Sequence, residues 1–240
     1  MKSIISVLAF LIISSTLNAQ IFSKKIKGNG TIKSETRAVS NYDKIAVAGS
    51  FNVKLIKGNE GSIIVKADEN LMEYIVTEVK SGSLKIKIKK GYTISTTKTI
   101  LVTVPFETIN AVSLAGSGDV YSEDIIESTD LELSLAGSGN LNLNVSAKNL
   151  SSKIAGSGNM TLNGNSNEFN CSIAGSGNVN GYELKALIAS VKIAGSGNVK
   201  INAVNEIHAK NVGSGNIYYS GNPSVKKISS VGSGSIKKKS

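Results

Sequence analysis

Between residues 131 and 193 the chain alternates apolar and polar side chains with a period of two, and the alternation recurs about nineteen residues further on. One parity collects Leu131, Leu133 and Leu135, then Leu150, Ser152 and Ile154, then Phe169, Cys171 and Ile173, then Ala189, Val191 and Ile193. The other carries Glu132 and Ser134, Ser151 and Lys153, Asn170 and Ser172, Ser190 and Lys192. A step of two is the signature of a half-buried β-strand with its apolar side inward. After each such run comes Gly-Ser-Gly, and then a second short apolar alternation: Leu141 and Leu143, Met160 and Leu162, Val199 and Ile201. Each period therefore holds two or three short strands and leaves no room for a helix.

The Gly-Ser-Gly units begin at Gly116, Gly137, Gly156, Gly175, Gly195, Gly213 and Gly232, at spacings of 21, 19, 19, 20, 18 and 19. A repeat near 19 residues is too short for a helix pair and suits one turn of a β-solenoid. Glycine supplies the sharp corners between faces, where positive φ or close backbone approach is cheap only without a Cβ. Asn140, Asn159, Asn178, Asn198 and Asn216 follow the units, with Asp119 in the first copy and Ser235 in the last. Asparagine tolerates left-handed backbone, and its amide can bond the copies above and below. The motif thus reads as scaffold.

The last two copies depart from the pattern. Asn211 and Ser230 fall in slots that hold Leu or Ile elsewhere, while Ile207, Ala209 and Ile228 keep the inward parity. Moving Val212 into that slot would turn Lys210 and His208 inward, so the alignment is kept, and this end reads as a polar cap or fraying coil. The half before residue 111 lacks the strict repeat. Residues 45–53 look like a decayed copy with Phe51 in place of the second glycine, and Leu84 to Lys89 alternates apolar with lysine. Residues 63–66, 74–79 and 99–104 read as further strands, with Pro105 closing the last. This half is expected to form the opening coils or a cap over the first regular rung.

The domain reading is a signal peptide over 1–19, a basic extension over 20–34, one β-solenoid over 35–235 (irregular over 35–110, regular over 111–235) and a basic tail over 236–240. The signal rests on Lys2, the apolar run from Ile4 to Ile13, and Leu17-Asn18-Ala19 before Gln20. That run is shorter than the ~20 residues of a membrane span. Export places the chain in the periplasm, at the outer membrane or outside the cell, with no transmembrane segment expected in the mature part. One cysteine, Cys171, allows no internal disulfide.

The formal charge of +10 favours acidic partners, such as anionic glycans or an envelope surface, and equally suits lysines that keep a sheet protein solvated. Nucleic acid has only this charge in its favour, since the chain has no Trp and no Arg-rich stretch. Candidate chemistry is sparse. Of nine carboxylates after Gly116, six lie at Asp119, Glu123, Asp124, Glu127, Asp130 and Glu132, in a segment that reads as a loop between the first regular coils. A pair there would serve a polysaccharide lyase or hydrolase as acid and base, or hold calcium; the plainer reading is a solvated acidic connector. The lone His208 lies on the outward parity and rules out a multi-histidine metal site or a His-based triad. Cys171 falls in an inward slot and reads as a small buried residue. The motif serines have no base beside them, and Gly-Ser-Gly lacks the Gly-Lys-Ser/Thr ending of a phosphate loop. No cofactor is expected.

Asn41-Tyr42-Asp43-Lys44-Ile45-Ala46-Val47 before Gly49, Ala67-Asp68-Glu69-Asn70-Leu71, Gly82-Ser83-Leu84-Lys85-Ile86 and the serial Ala-Gly-Ser-Gly-Asn units together resemble the putative auto-transporter adhesin, head GIN domain family, over roughly residues 35–235. The resemblance implies a right-handed parallel β-helix exported in Gram-negative envelopes, and it brings no catalytic residues to transfer. The expected function is an exported, non-enzymatic binding, adhesin-like or structural module for glycans, other anionic polymers or envelope proteins.

Overall fold

The computed structural model describes residues 23–239, so the signal segment expected over 1–19 lies outside the described residues. The chain is 74% strand and builds a β-solenoid of about seven turns with coils of about 19 residues. The regular coils are β11 (Asp119–Gly137), β12 (Asn140–Gly156), β13 (Asn159–Gly175), β14 (Asn178–Gly195) and β15 (Asn198–Gly213). Each is one continuous hydrogen-bonded strand that bends round the core, where the sequence pattern suggests two or three separate ones. Each pairs in parallel with the next, Gly to Gly and, after Asp119 opposite Asn140 in the first pair, Asn to Asn.

The inward parity is buried as expected. Val112, Leu133, Ser152, Cys171, Val191 and Ala209 stack in one column, one residue per rung. Asn211 pairs with Ile193 and is fully buried, whereas Val212 beside it is 45% exposed. The chain therefore accepts a buried amide at that slot and keeps His208 and Lys210 facing out. The uneven spacings have a local cause. A bulge between Tyr121 and Ile125 absorbs the two additional residues of the first period, and a shift between Thr161 and Gly164 absorbs the one additional residue of the fourth. The acidic segment is accordingly a bulged part of β11, not a loop.

The corners show why the motif is written with glycine. Gly156 has φ +129°, and a Cβ built there would stand 2.5 Å from the Gly137 carbonyl oxygen one rung below. That oxygen accepts both Ser157 N–H and Gly158 N–H, each at 2.9 Å. The Asn positions do not use left-handed backbone, since Ser81 is the only non-glycine residue with positive φ among the described residues. Their contribution is an amide ladder: Asn140 Nδ2 donates to Asp119 (2.7 Å), Asn159 to Asn140 (3.1 Å), Asn178 to Asn159 (2.9 Å), Asn198 to Asn178 (3.0 Å) and Asn216 to Asn198 (3.1 Å). Ser235 Oγ closes it on Asn216.

The irregular half supplies opening coils and a cap. β3 (Lys44–Ala48) and β4 (Phe51–Lys57) form the decayed copy directly below β10 (Ala111–Gly116) and the start of β11. β7 (Ser83–Ile88) and β9 (Ile100–Phe106) add a further parallel rung beneath them. β2 (Ile32–Ala38), β5 (Ser62–Asp68) and β6 (Ile75–Lys80) pair antiparallel against β5, β9 and β7. Pro105 does not close its run but sits inside β9, paired with Ile56. Its missing N–H falls beyond the reach of β5, and its carbonyl accepts the Tyr42 hydroxyl. Within the segment read as a basic extension, β1 (Lys24–Lys27) pairs with β8 (Tyr92–Ser95). Within the tail, β18 (Ile236–Lys238) pairs with β16 (Asn216–Ser220).

Asp68 clamps this opening region. Its carboxylate is fully buried and accepts Gly30 N–H (2.8 Å), Thr97 N–H (3.1 Å) and the Thr97 hydroxyl (2.6 Å). Burial by itself pushes the carboxyl up, but these bonds outweigh it and hold Asp68 below its ordinary value.

Two outcomes follow from the corners and the clamp. Gly156→Ala is expected to cost roughly 2–4 kcal/mol in urea unfolding, because it combines strained φ with a backbone clash; Ser157→Ala, on the exposed tip of the same corner, should stay within about 0.5 kcal/mol. For Asp68 the folded value is the lower one, so its stabilisation is complete above the unfolded value of ~3.9 and disappears as pH falls through the folded value. Acid unfolding of Asp68→Asn, followed by circular dichroism, should therefore show a shallower loss of stability below about pH 4 than the parent.

Candidate functional site

Of the acidic residues singled out from sequence, Glu127 and Asp130 line one hollow of about 710 Å³ with Asp43 and Asn110, while Asp119, Glu123 and Asp124 lie outside it. Asp119 starts the amide ladder. Glu123 meets Lys54 Nζ at 2.9 Å and holds that ammonium above its ordinary value. Asp124 accepts the Lys57 backbone N–H at 2.7 Å, and Glu127 meets Lys57 Nζ at 3.2 Å. Asp130 accepts Asn149 Nδ2 at 2.7 Å. Glu123, Asp124 and Glu127 thus tie the bulge of β11 to β4, the coil below it. No three His, Cys, Asp or Glu side chains gather as a metal-binding group among the described residues. Cys171 is buried, and burial pushes its thiol up to about 12, far from a reactive thiolate. His208 stands half-buried beside Glu206, with Nε2 3.3 Å from the carboxylate.

Two further concave features share one broad face of the solenoid. There β7, β3, β10, β11, β12, β13, β14, β15 and β17 (Val225–Val231) stack in parallel, in that order. Towards the C-terminal coils a hollow of about 660 Å³ is lined by Asn170, Ser190, Lys192, Lys210, Lys226 and Lys227, among others. Lys192 and Lys210 are direct neighbours on successive rungs, as are His208 and Lys227. Lys226, in register with the inward Ile207, lines the hollow from the opposite parity, and Lys192, Lys210 and Lys227 form no ion pair among the described residues. Like charges stacked at a rung spacing of ~4.8 Å repel, and an anion placed between them relieves that cost. Towards the N-terminal coils the same face carries an apolar groove of about 560 Å³ whose lining includes Ala48, Ala115 and Ala136.

Sequence reasoning points to outward Ser, Asn and Lys as the contact groups for a glycan but does not assemble them into this one face. The outward lysines and the alanine before each Gly-Ser-Gly were visible, but the stacking of β7 on β3 and of β3 on β10 joins segments too irregular to align by eye.

The family model described as putative auto-transporter adhesin, head GIN domain, matches residues 41–223. The chain belongs to this family. Among solved structures, the GIN domain described above is similar to a putative adhesin from Bacteroides fragilis NCTC 9343, at 25% identity and TM-score 0.85 over 89% of this chain and all of that one. It is also similar to a putative lipid binding protein from Parabacteroides distasonis ATCC 8503, at 30% identity and TM-score 0.74 over 90% of this chain and all of that one. A putative adhesin from Parabacteroides merdae ATCC 43184, at 20% identity and TM-score 0.71 over 91% of this chain and all of that one, shares the fold. Comparison with curated proteins gives no match. No helix among the described residues is long and apolar enough to cross a membrane.

If the acidic segment is a staple between coils, removing its charge costs little. The double variant Glu123→Gln/Glu127→Gln should lose less than about 2 kcal/mol in urea unfolding, because exposed ion pairs contribute ~0–1 kcal/mol each. Calcium added to the parent should leave its melting temperature unchanged; a saturable rise would instead make the segment a cation site.

Proposed function

We propose that this GIN domain is a non-catalytic binding module of the bacterial envelope that grips extended anionic polymers, such as surface glycans, on its broad parallel face. One observation carries the reading: Lys192, Lys210 and Lys227, all on the outward parity, line one hollow without carboxylate partners, beside the short polar side chains of Asn170 and Ser190. Repetition favours a polymer, because each rung offers the same kind of group one strand spacing further along. The descriptions of two neighbours, putative adhesin and putative lipid binding protein, both name non-covalent attachment and support this reading. The export signal read in residues 1–19 supports the same location. The alternative, a polysaccharide-active enzyme built on residues 119–132, has less support, since Asp119, Glu123, Asp124, Glu127 and Asp130 are all held by lysine, asparagine or backbone groups.

Polygalacturonate and neutral dextran provide the test, with affinities measured by calorimetry at two ionic strengths. The polyanion should bind and weaken as salt rises, while dextran should not bind. Lys210→Gln/Lys227→Gln should weaken polygalacturonate roughly five- to thirtyfold, as expected for about 1–2 kcal/mol of lost charge attraction. Absence of binding to the polyanion at low salt, or equal binding of dextran, overturns the proposal.

A further inference from the structure

The apolar groove on this face is not imposed by the fold. Its floor follows the column just before the corner: Ala48, Ala115, Ala136, Ala155 and Ala174, one per rung. Yet the same column holds Lys87 at one end and Val212 and Val231 towards the other. Larger residues therefore fit beside the corner, and the alanines leave open a space that the scaffold would let a side chain fill. Ser113 and Ser134 keep the neighbouring column short as well. An uncovered apolar groove in so lysine-rich a chain marks a surface that meets another apolar body.

Length and charge specify that body. The groove runs from β7 to beyond β12, and the four steps from β7 to β12 span about 19 Å at the strand spacing. That is comparable to the hydrocarbon depth of one bilayer leaflet, about half of ~30 Å. Its volume of about 560 Å³ is that of a small-molecule site. The two ends differ. At the β7 end Lys85 and Lys87 both line the groove, and Glu78, which holds Lys87 at 2.6 Å and stands opposite Lys85 in the register, supplies a carboxylate that repels an anionic head there. At the other end Lys153 forms no ion pair among the described residues, and it leads along the sheet towards Lys192 and Lys210.

We infer that the groove holds one acyl chain of an anionic envelope amphiphile, tail towards Lys87 and headgroup towards Lys153 and the lysine hollow. This rests on the reading that the face meets anionic envelope material, and it adds the apolar half of the ligand. The acyl chain lies across the rungs, covering the alanines; the phosphate or carboxylate of the head sits among lysines with no protein partner.

The test titrates the full exported chain with lysophosphatidylglycerols of 16, 14 and 12 carbons below their micelle concentrations, beside glycerol phosphate and polygalacturonate. Binding should be one to one and weaken roughly three- to tenfold for each two methylenes removed, as expected for partial burial of the chain. Glycerol phosphate alone should bind far more weakly than any of the three. Ala136→Phe fills an exposed part of the floor and should lower lysolipid affinity at least about tenfold, with melting temperature and polygalacturonate binding as in the parent. Ala115→Gln, one rung away, should act in the same direction. Affinity independent of chain length, groove variants that bind like the parent, or a dimer that lysolipid fails to dissociate overturns the acyl assignment. Lysolipid binding without polygalacturonate binding removes only the polymer reading; polygalacturonate binding without chain-length dependence removes only the groove.

Discussion

One carbonyl per coil governs this molecule. The oxygen of each first motif glycine, from Gly116 to Gly195, accepts two successive N–H groups from the corner of the next coil, as Gly137 does from Ser157 and Gly158. That arrangement is possible only where no Cβ stands between the stacked corners, and it pins the position of every rung relative to the one below. Once the corners are in register, the strands that follow are in register too, and the side-chain parity of each coil is set. The amide ladder from Asp119 to Ser235 runs one residue past the corner and repeats the constraint with side chains. Backbone hydrogen bonding and apolar columns then hold the fold without a disulfide.

Because the corners carry the register, the coils tolerate irregularity elsewhere. Two additional residues in β11 and one in β14 are absorbed as bulges, and pairing resumes at Ile125 and Leu184. The inward columns also admit misfits. Ser152 and Cys171 replace larger apolar residues in one slot, and Asn211 occupies another. Asn211 donates to the Gly215 carbonyl at 2.7 Å but leaves its own carbonyl oxygen without a partner. A buried polar atom of that kind costs stability. It lies near the final coil, where β17 is exposed along its whole length and the apolar core is thinning.

The regular half is legible from sequence because its information is local and repeated. Parity alone distinguishes Asn211 from Val212 as the buried residue, against the pull of hydrophobicity, and the period alone excludes helices. What is not legible depends on pairing between distant segments. A spacing of 21 residues announces an insertion after Asp119 but does not say whether it loops out or bulges within a strand; the partners that decide it, Lys54 and Lys57, lie about seventy residues earlier. Pro105 reads as a terminator because its missing N–H is normally needed, and only the short reach of β5 makes it acceptable. The broad face eludes the sequence for the same reason, since it joins lysines and alanines from nine strands.

A scaffold so regular separates stability from recognition. Inward residues and corners answer to packing, while outward columns are nearly free, as the sharing of one column by Lys87, Ala115 and Val212 shows. Chemistry written into such columns is spread along the stack and does not converge on a point. General acid–base or nucleophilic catalysis needs a few groups held at one place, whereas Glu123, Asp124 and Glu127 of β11 are engaged by Lys54 and Lys57 and Asp119 and Asp130 by asparagine amides. Attachment needs many weak contacts at regular spacing over a large rigid surface. Stacked lysines beside an open apolar groove suit that mode, and substitutions on this face, unlike those in the glycine motif, leave register and core undisturbed.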